Sequence, residues 1–179
     1  EKKKGQFLNN VFNYTFGLKE QTIIKLINNG IIHDIGQSKN YLIIPDMPLK
    51  TDLNRIFRNE LPLYFDKNGT TRFGLLNKDT DNLTWFQFKE NFFIFHFSES
   101  YETKDSVITH ACLLNNVNFC SFIDNTKYKP FEGTQLSQII LHKKNNTYEI
   151  KKNKYLEEIV NKKNYITEFP LISKVNNSH

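Results

Sequence analysis

Short apolar runs of strand length recur along the chain, each closed by a cluster of Asn, Asp, Gly, Ser or Lys. Residues 31–35 and 41–45 are two such runs, separated by the polar stretch Gly36-Gln37-Ser38-Lys39-Asn40, and they predict a hairpin. Residues 71–76 and 84–88 flank an Asn- and Asp-rich turn over 77–82 and predict two more strands. Residues 91–98 are apolar on both faces, as is residues 107–114, so both read as central strands covered on two sides. Residues 135–143 and 147–151 predict a late hairpin around Asn145-Asn146. Within 50–60, Leu53, Ile56 and Phe57 fall at helical spacing, so a short helix or turn crosses there. From Tyr155 a helical turn gives way to extended chain as far as Glu168-Phe169-Pro170. No linker and no clean repeat divides the sequence. The pattern is that of one all-β domain over residues 1–179, a sandwich, barrel or propeller.

Composition supports this and narrows the function. Aromatic residues make up 14% of the chain, with 16 Phe and 8 Tyr, which favours strands over helices. The net charge is +5, but the lysines form short separated groups over turns and strand edges, and no strand interleaves aromatic and basic residues as an RNA-binding strand does. Nucleic acid is therefore not expected as a partner. Peripheral contact with an anionic membrane is the remaining use for such charge. Cys112 and Cys120 are not in a C-x-x-C arrangement, which suggests a reducing compartment or no redox role; the localisation is unknown, with an intracellular setting, cytoplasm or plastid, as the expectation. No secretory leader and no apolar run of membrane-spanning length is visible.

Two histidines stand out. On strict alternation His33 shares a face with Ile31 and Ile35, and His96 shares one with Phe92, Ile94 and Ser98. An unpaired imidazole among apolar side chains is costly, so each must be hydrogen-bonded in the core or hold a metal. The residues alone favour the core and leave both readings open; a shared metal needs a closed scaffold that brings distant strands to one axis. His110 and Cys112 also share a face, but two isolated ligands do not make a zinc site, and they read as core. His142, at a hairpin end, and His179, at the terminus, are expected to face solvent.

The surroundings of these histidines carry a resemblance. His33-Asp34-Ile35-Gly36-Gln37-Ser38-Lys39-Asn40-Tyr41 resembles the His-Asp-Phe-x-x-Thr-x-Asn-Tyr segment of the carotenoid oxygenase family, which includes stilbene-cleaving dioxygenases and a retinoid isomerohydrolase. Arg72-Phe73-Gly74-Leu75-Leu76 resembles its Arg-Phe-Gly-Val-Leu-Pro. Trp85-Phe86, then Phe92-Phe93-Ile94-Phe95-His96-Phe97 and Tyr101-Glu102, resemble Trp-Phe, Cys-Phe-x-Phe-His and Tyr-Glu-Glu. Glu168-Phe169-Pro170 resembles a later Glu-Phe-Pro-Arg. The blocks occur in the family's order and span the chain from about Gly30 to Ile172.

The resemblance implies about three blades of a seven-bladed β-propeller with ferrous iron, Fe(2+), on its axis, held by four histidines. His33 and His96 match the second and third ligands, and Glu168 matches a carboxylate that accepts a hydrogen bond from a ligand histidine, fixing its orientation and tautomer. The implied reaction adds O2 across a conjugated C=C bond of a carotenoid, apocarotenoid or stilbene-like substrate and gives two carbonyl products. Phe92, Phe93, Phe95 and Phe97 line a tunnel or, as the better expectation for most of them, pack the core. Thr103 stands where relatives carry a second Glu, Leu171 replaces an Arg, and the family's enzymes are much longer. The chain is thus expected to be an internal piece of an oxygenase; the alternative is a catalytically dead β-rich binding module or truncated remnant. The flanking sequence separates them, since an enzyme needs histidines on both missing sides.

Overall fold

The computed structural model describes residues 9–12, 21–28, 30–115 and 135–152. Two four-stranded antiparallel sheets organise them. The first blade orders its strands β3 (Gly36–Gln37), β4 (Tyr41–Asp46), β7 (Arg72–Asn77), β8 (Leu83–Gln87). The second orders β9 (Tyr101–Glu102), β10 (Ser106–Leu113), β11 (Gln135–His142), β12 (Thr147–Lys152). Each is an antiparallel meander with its strands in chain order, as in a propeller blade. A two-stranded ribbon, β1 (Asn9–Phe12) with β2 (Gln21–Ile24), precedes them, and β5 (Leu49–Thr51) with β6 (Leu63–Phe65) forms an arm inserted between β4 and β7. The predicted strands at 71–76, 84–88, 107–114 and the late hairpin are all present within a residue or two of expectation. That hairpin turns on Asn146 at φ 54°, a left-handed conformation asparagine tolerates.

The apolar character of β7 follows from burial on both faces. Phe73 and Leu75 join Ile43 and Phe86 in a core shared with Val107, Ala111, Leu113, Ile139 and Leu141 of the second blade. This core fastens the two blades together. Burying a side chain the size of Phe73 contributes about 2–3 kcal/mol, and its ring meets Phe88, Phe92 and Phe97 edge-on at 4.7, 6.0 and 5.6 Å. Leu76 and Ile44 point the other way and pack with Ile24, Leu42, Leu83 and Trp85.

Motif residues of the first blade turn out to hold this second face. Asp46 is 1% exposed and accepts hydrogen bonds from the Ile27 and Asn28 backbone N–H groups, the Asn28 amide and Arg72 Nε. The Arg72–Asp46 contact is 2.7 Å, and the Arg72 guanidinium lies 3.7 Å from the centre of the Trp85 ring. Trp85 stands opposite Gly74 in the ladder, and a Cβ on Gly74 would come within 3.1 Å of the indole and 2.9 Å of Leu83. Glycine is required there so that the indole can lie flat over the strand. Arg72, Gly74, Trp85 and Asp46 are one fold-holding device.

The inner edges of both blades depart from expectation. Residues 31–35 form no ladder, and only Gly36 and Gln37 pair with β4. Extending that register would set Asp34 opposite Pro45, which has no N–H to give. The chain instead swings to the arm, where Gly30 bridges Lys50 and Ile31 N–H donates to the Leu49 carbonyl. Ile31 and Ile35 are consequently exposed at 43% and 38%. Residues 91–98 are not a regular central strand either. Phe93 bridges Leu114, Phe97 bridges Ala111 and Tyr101 pairs with Ile108, so twice this segment advances four residues against three on β10. Two bulges result, and bulges re-aim side chains. Alternation therefore fails: Phe92, Phe93 and Ile94 are buried in succession.

The expected helix within 50–60 is a 3-10 helix, Leu53–Arg58, capped by the Asp52 side chain accepting from Asn54 N–H. It buries none of its residues.

Candidate metal centre

His33 and His96 occupy equivalent places, each in the irregular segment leading into the innermost strand of its blade. His33 is exposed and His96 half-buried, so neither is the enclosed core histidine that strict alternation suggested. The blade seam brings them together: their ring centroids lie 5.1 Å apart with planes at 85°. Phe95 closes one side, edge-on to His33 at 5.5 Å and to Phe93 at 4.9 Å.

Two carboxylates tie the segments that carry the rings. Asp34, next to His33, accepts from its neighbour Ile35 N–H at 2.8 Å and from Phe97 N–H, next to His96, at 2.9 Å. Glu102 on β9 accepts from Ser38 Oγ at 2.7 Å, Asn40 N–H at 2.6 Å and Asn40 Nδ2 at 2.9 Å. Burial raises the Glu102 pKa, but the bonds from Asn40 and Ser38 and the nearby Lys143 charge outweigh it and leave the carboxyl below its ordinary range. It is thus held as a carboxylate. The sequence shows both acids inside recognisable segments, but not that each acts across the seam; that pairing is set by topology.

The donor set fits a divalent transition metal. With metal–nitrogen bonds of about 2.1 Å, two imidazoles at neighbouring positions on one ion have centroids roughly 4.5–5.2 Å apart, which matches the observed 5.1 Å. Among the described residues no cluster of three or more His, Cys, Asp or Glu forms. Glu168, Cys120 and His179 lie outside the described residues.

The other candidates separate clearly. Cys112 is buried, and His110 is half-buried against Gln138, whose amide donates to His110 Nε2 at 3.1 Å and to the Tyr101 hydroxyl at 3.3 Å. Burial lowers the His110 pKa, so the ring is held neutral, as expected of a core residue. His142 corrects the expectation of a free solvent-facing ring. It is half-buried, with Nδ1 2.9 Å from Ser106 Oγ and Nε2 3.3 Å from Glu149 Oε1, because the β10–β11 and β11–β12 ladders set these side chains on one face.

Comparison with known proteins agrees with this architecture. The family model described as retinal pigment epithelial membrane protein (RPE65) matches residues 3–179. A carotenoid 9,10(9',10')-cleavage dioxygenase 1 of Pisum sativum is 33% identical over 92 residues, covering 49% of this chain and 17% of the pea protein. A cobalt-substituted apocarotenoid oxygenase of Synechocystis superposes with a TM-score of 0.63 at 16% identity, covering 76% of this chain and 30% of that one. A lignostilbene dioxygenase of Pseudomonas brassicacearum gives 0.61 at 15% identity over 76% of this chain and 30% of its own. At those identities the structural likenesses establish the fold, part of a β-propeller, while the family match covers nearly the whole sequence. The chain belongs to the RPE65 family, that of the carotenoid cleavage dioxygenases.

Proposed function

We propose that this chain supplies His33 and His96 to the Fe(II) centre of a non-haem dioxygenase that splits a conjugated C=C bond of a carotenoid, apocarotenoid or stilbene-like substrate into two carbonyl products. The carrying observation is the 5.1 Å approach of two imidazoles from separate blades in a chain of this family. The relatives named as carotenoid and lignostilbene dioxygenases support the reaction class, and the cobalt-substituted neighbour supports a metal.

Neutral imidazoles suit ferrous iron and leave its charge uncompensated. When bound, iron supplies the electron chemistry with O2 that ordinary side chains lack. The residues of this chain orient and shield. Asp34 and Glu102 fix the backbone on which the rings sit, and Phe95, edge-on to His33, gives the site an apolar wall against which a polyene can lie. Glu168, matched by sequence, is proposed to accept a hydrogen bond from a ligand histidine and so raise its basicity.

A substrate this lipophilic must be drawn from a bilayer, and the 3-10 helix offers a contact point. Leu53, Ile56 and Phe57 are 67%, 54% and 89% exposed, beside Arg55 and Arg58. Both arginines are paired with Asp52 and Glu60, so the exposed apolar side chains would carry a contact with the headgroup boundary.

The test is product analysis with the protein at its natural length, loaded with Fe(II) and given carotenoid, apocarotenoid and stilbene substrates under 18O2. Paired carbonyl products, each carrying label before exchange, are expected from at least one class. A folded, iron-loaded protein that yields none would mark a binding module or remnant.

A further inference from the structure

We propose that Asp34 and Glu102 are positioning residues, two carboxylates that cross the blade seam in opposite directions and set the approach of the His33 and His96 rings. This rests on the reading of those histidines as metal ligands. The geometry is reciprocal. Asp34 belongs to the first blade and accepts from the Phe97 N–H of the second. Glu102 belongs to the second and gathers Ser38 Oγ, Asn40 N–H and Asn40 Nδ2 of the first. The Asp34–Phe97 bond joins the immediate successors of the two histidines, so it links the rings through one residue on each side. Ladder bonds do not perform this task, because residues 31–35 have none and β3 contributes only Gly36 and Gln37. Lys78 Nζ secures the same turn from the first blade by donating to the Ser38 carbonyl at 2.7 Å. Residues 34–40, which follow His33, are therefore held at both ends by carboxylates, and charge-assisted bonds of this kind are stronger than neutral ones. Loss of either clamp frees the segment to move along the seam and relaxes the distance between the rings.

The experiment loads the natural-length protein with Co(II), whose visible absorption reports ligand geometry. Asp34→Ala is expected to weaken cobalt binding by about 10–100-fold and to alter the band shape, the range found when a group orienting a metal ligand is removed. Asp34→Asn keeps the volume and one acceptor, covers the case in which the alanine variant does not fold, and gives an intermediate loss. Glu102→Ala costs about tenfold. Glu102→Gln stays close to wild type, since Oε1 keeps the Ser38 and Asn40 N–H bonds and a rotated Asn40 amide accepts from the new Nε2. Tyr148→Phe, which removes a hydroxyl that accepts from Lys89 N–H at the outer edge of the second blade, leaves the spectrum unchanged. If His33→Ala abolishes cobalt binding while Asp34→Ala and Glu102→Ala bind with wild-type affinity and spectrum, the positioning role is overturned and the ligand reading survives. If wild-type protein takes up no cobalt, the ligand reading falls and the metal role proposed here falls with it.

Discussion

The outer three strands of each blade and the inner edge beside them are built on different physics. In β4, β7 and β8, and again in β10, β11 and β12, position is set by apolar burial and by long unbroken ladders such as the Ser106–His142 to Leu113–Gln135 pairing. Along the inner edge the ladder is two residues long in one blade and twice bulged in the other, and polar side chains take over its work. Asp34, Glu102 and Asn91 bond to backbone across gaps that strands would otherwise close; Asn91 Oδ1 accepts from Thr71 N–H at 3.1 Å. A regular ladder would alternate every side chain and bury half of them. Its interruption brings His33 and His96 together, with Phe95 beside them. The rigid strands give stability, and the irregular edge gives the site.

The contrast can be broken most forcefully from the outer side. Phe73→Ala empties the core between the blades and is expected to cost about 3–5 kcal/mol, read as a lowered urea midpoint. Its effect falls on both blades because Phe73 touches Phe88, Phe92 and Phe97. Asp46→Ala removes the carboxylate partner of Arg72 and the acceptor of the Ile27 and Asn28 backbone N–H groups, and breaking a buried pair of this kind costs about 3 kcal/mol. A loss under about 1 kcal/mol there would mean that the hub is incidental.

Acid acts on the inner edge. The Glu102 carboxyl has a folded-state pKa below its ordinary value of 4.5. A lowered folded pKa gives stability that is complete above the unfolded value and is lost as pH falls through the folded one. The clamp is intact at neutral pH and loosens below about pH 4.5. Glu102→Gln should lower the urea midpoint modestly near neutrality, where the wild-type carboxylate contributes in full, and flatten its fall in that window; an unchanged acid limb would deny the clamp its pH dependence. The smallest effect on stability belongs to Phe57→Ser, within about 0.5 kcal/mol for so exposed a side chain, although it should reduce sedimentation with anionic vesicles. Equal sedimentation of variant and wild type would remove the 3-10 helix from the membrane contact.

Sequence legibility divides along the same line. The outer strands were readable because their periodicity is local: residues 71–76, 107–114 and the hairpin at Asn145-Asn146 each carry their own pattern and turn. The two histidines were recognisable from their surrounding segments, but their environment was not. Strict alternation put His33 among Ile31 and Ile35 on a buried face, whereas Pro45 denies that segment its ladder and all three are exposed. Alternation sets His96 on the face of Phe92 and Ile94, and the two bulges undo that face. Asp34 and Glu102 act on backbone 63 and 62 positions away, and no local pattern encodes such a partner. The setting of His142 is hidden for a related reason, since its partners Ser106 and Glu149 become neighbours only through the sheet.

The most direct test of the central claim is the iron content of the natural-length protein beside its His33→Ala and His96→Ala variants, each checked for an unchanged urea midpoint. Because His33 is exposed and His96 half-buried, both variants are expected to fold with little loss. Roughly one Fe(II) per wild-type chain is expected, and none retained by either variant. Iron held equally by all three, or by none, would contradict it.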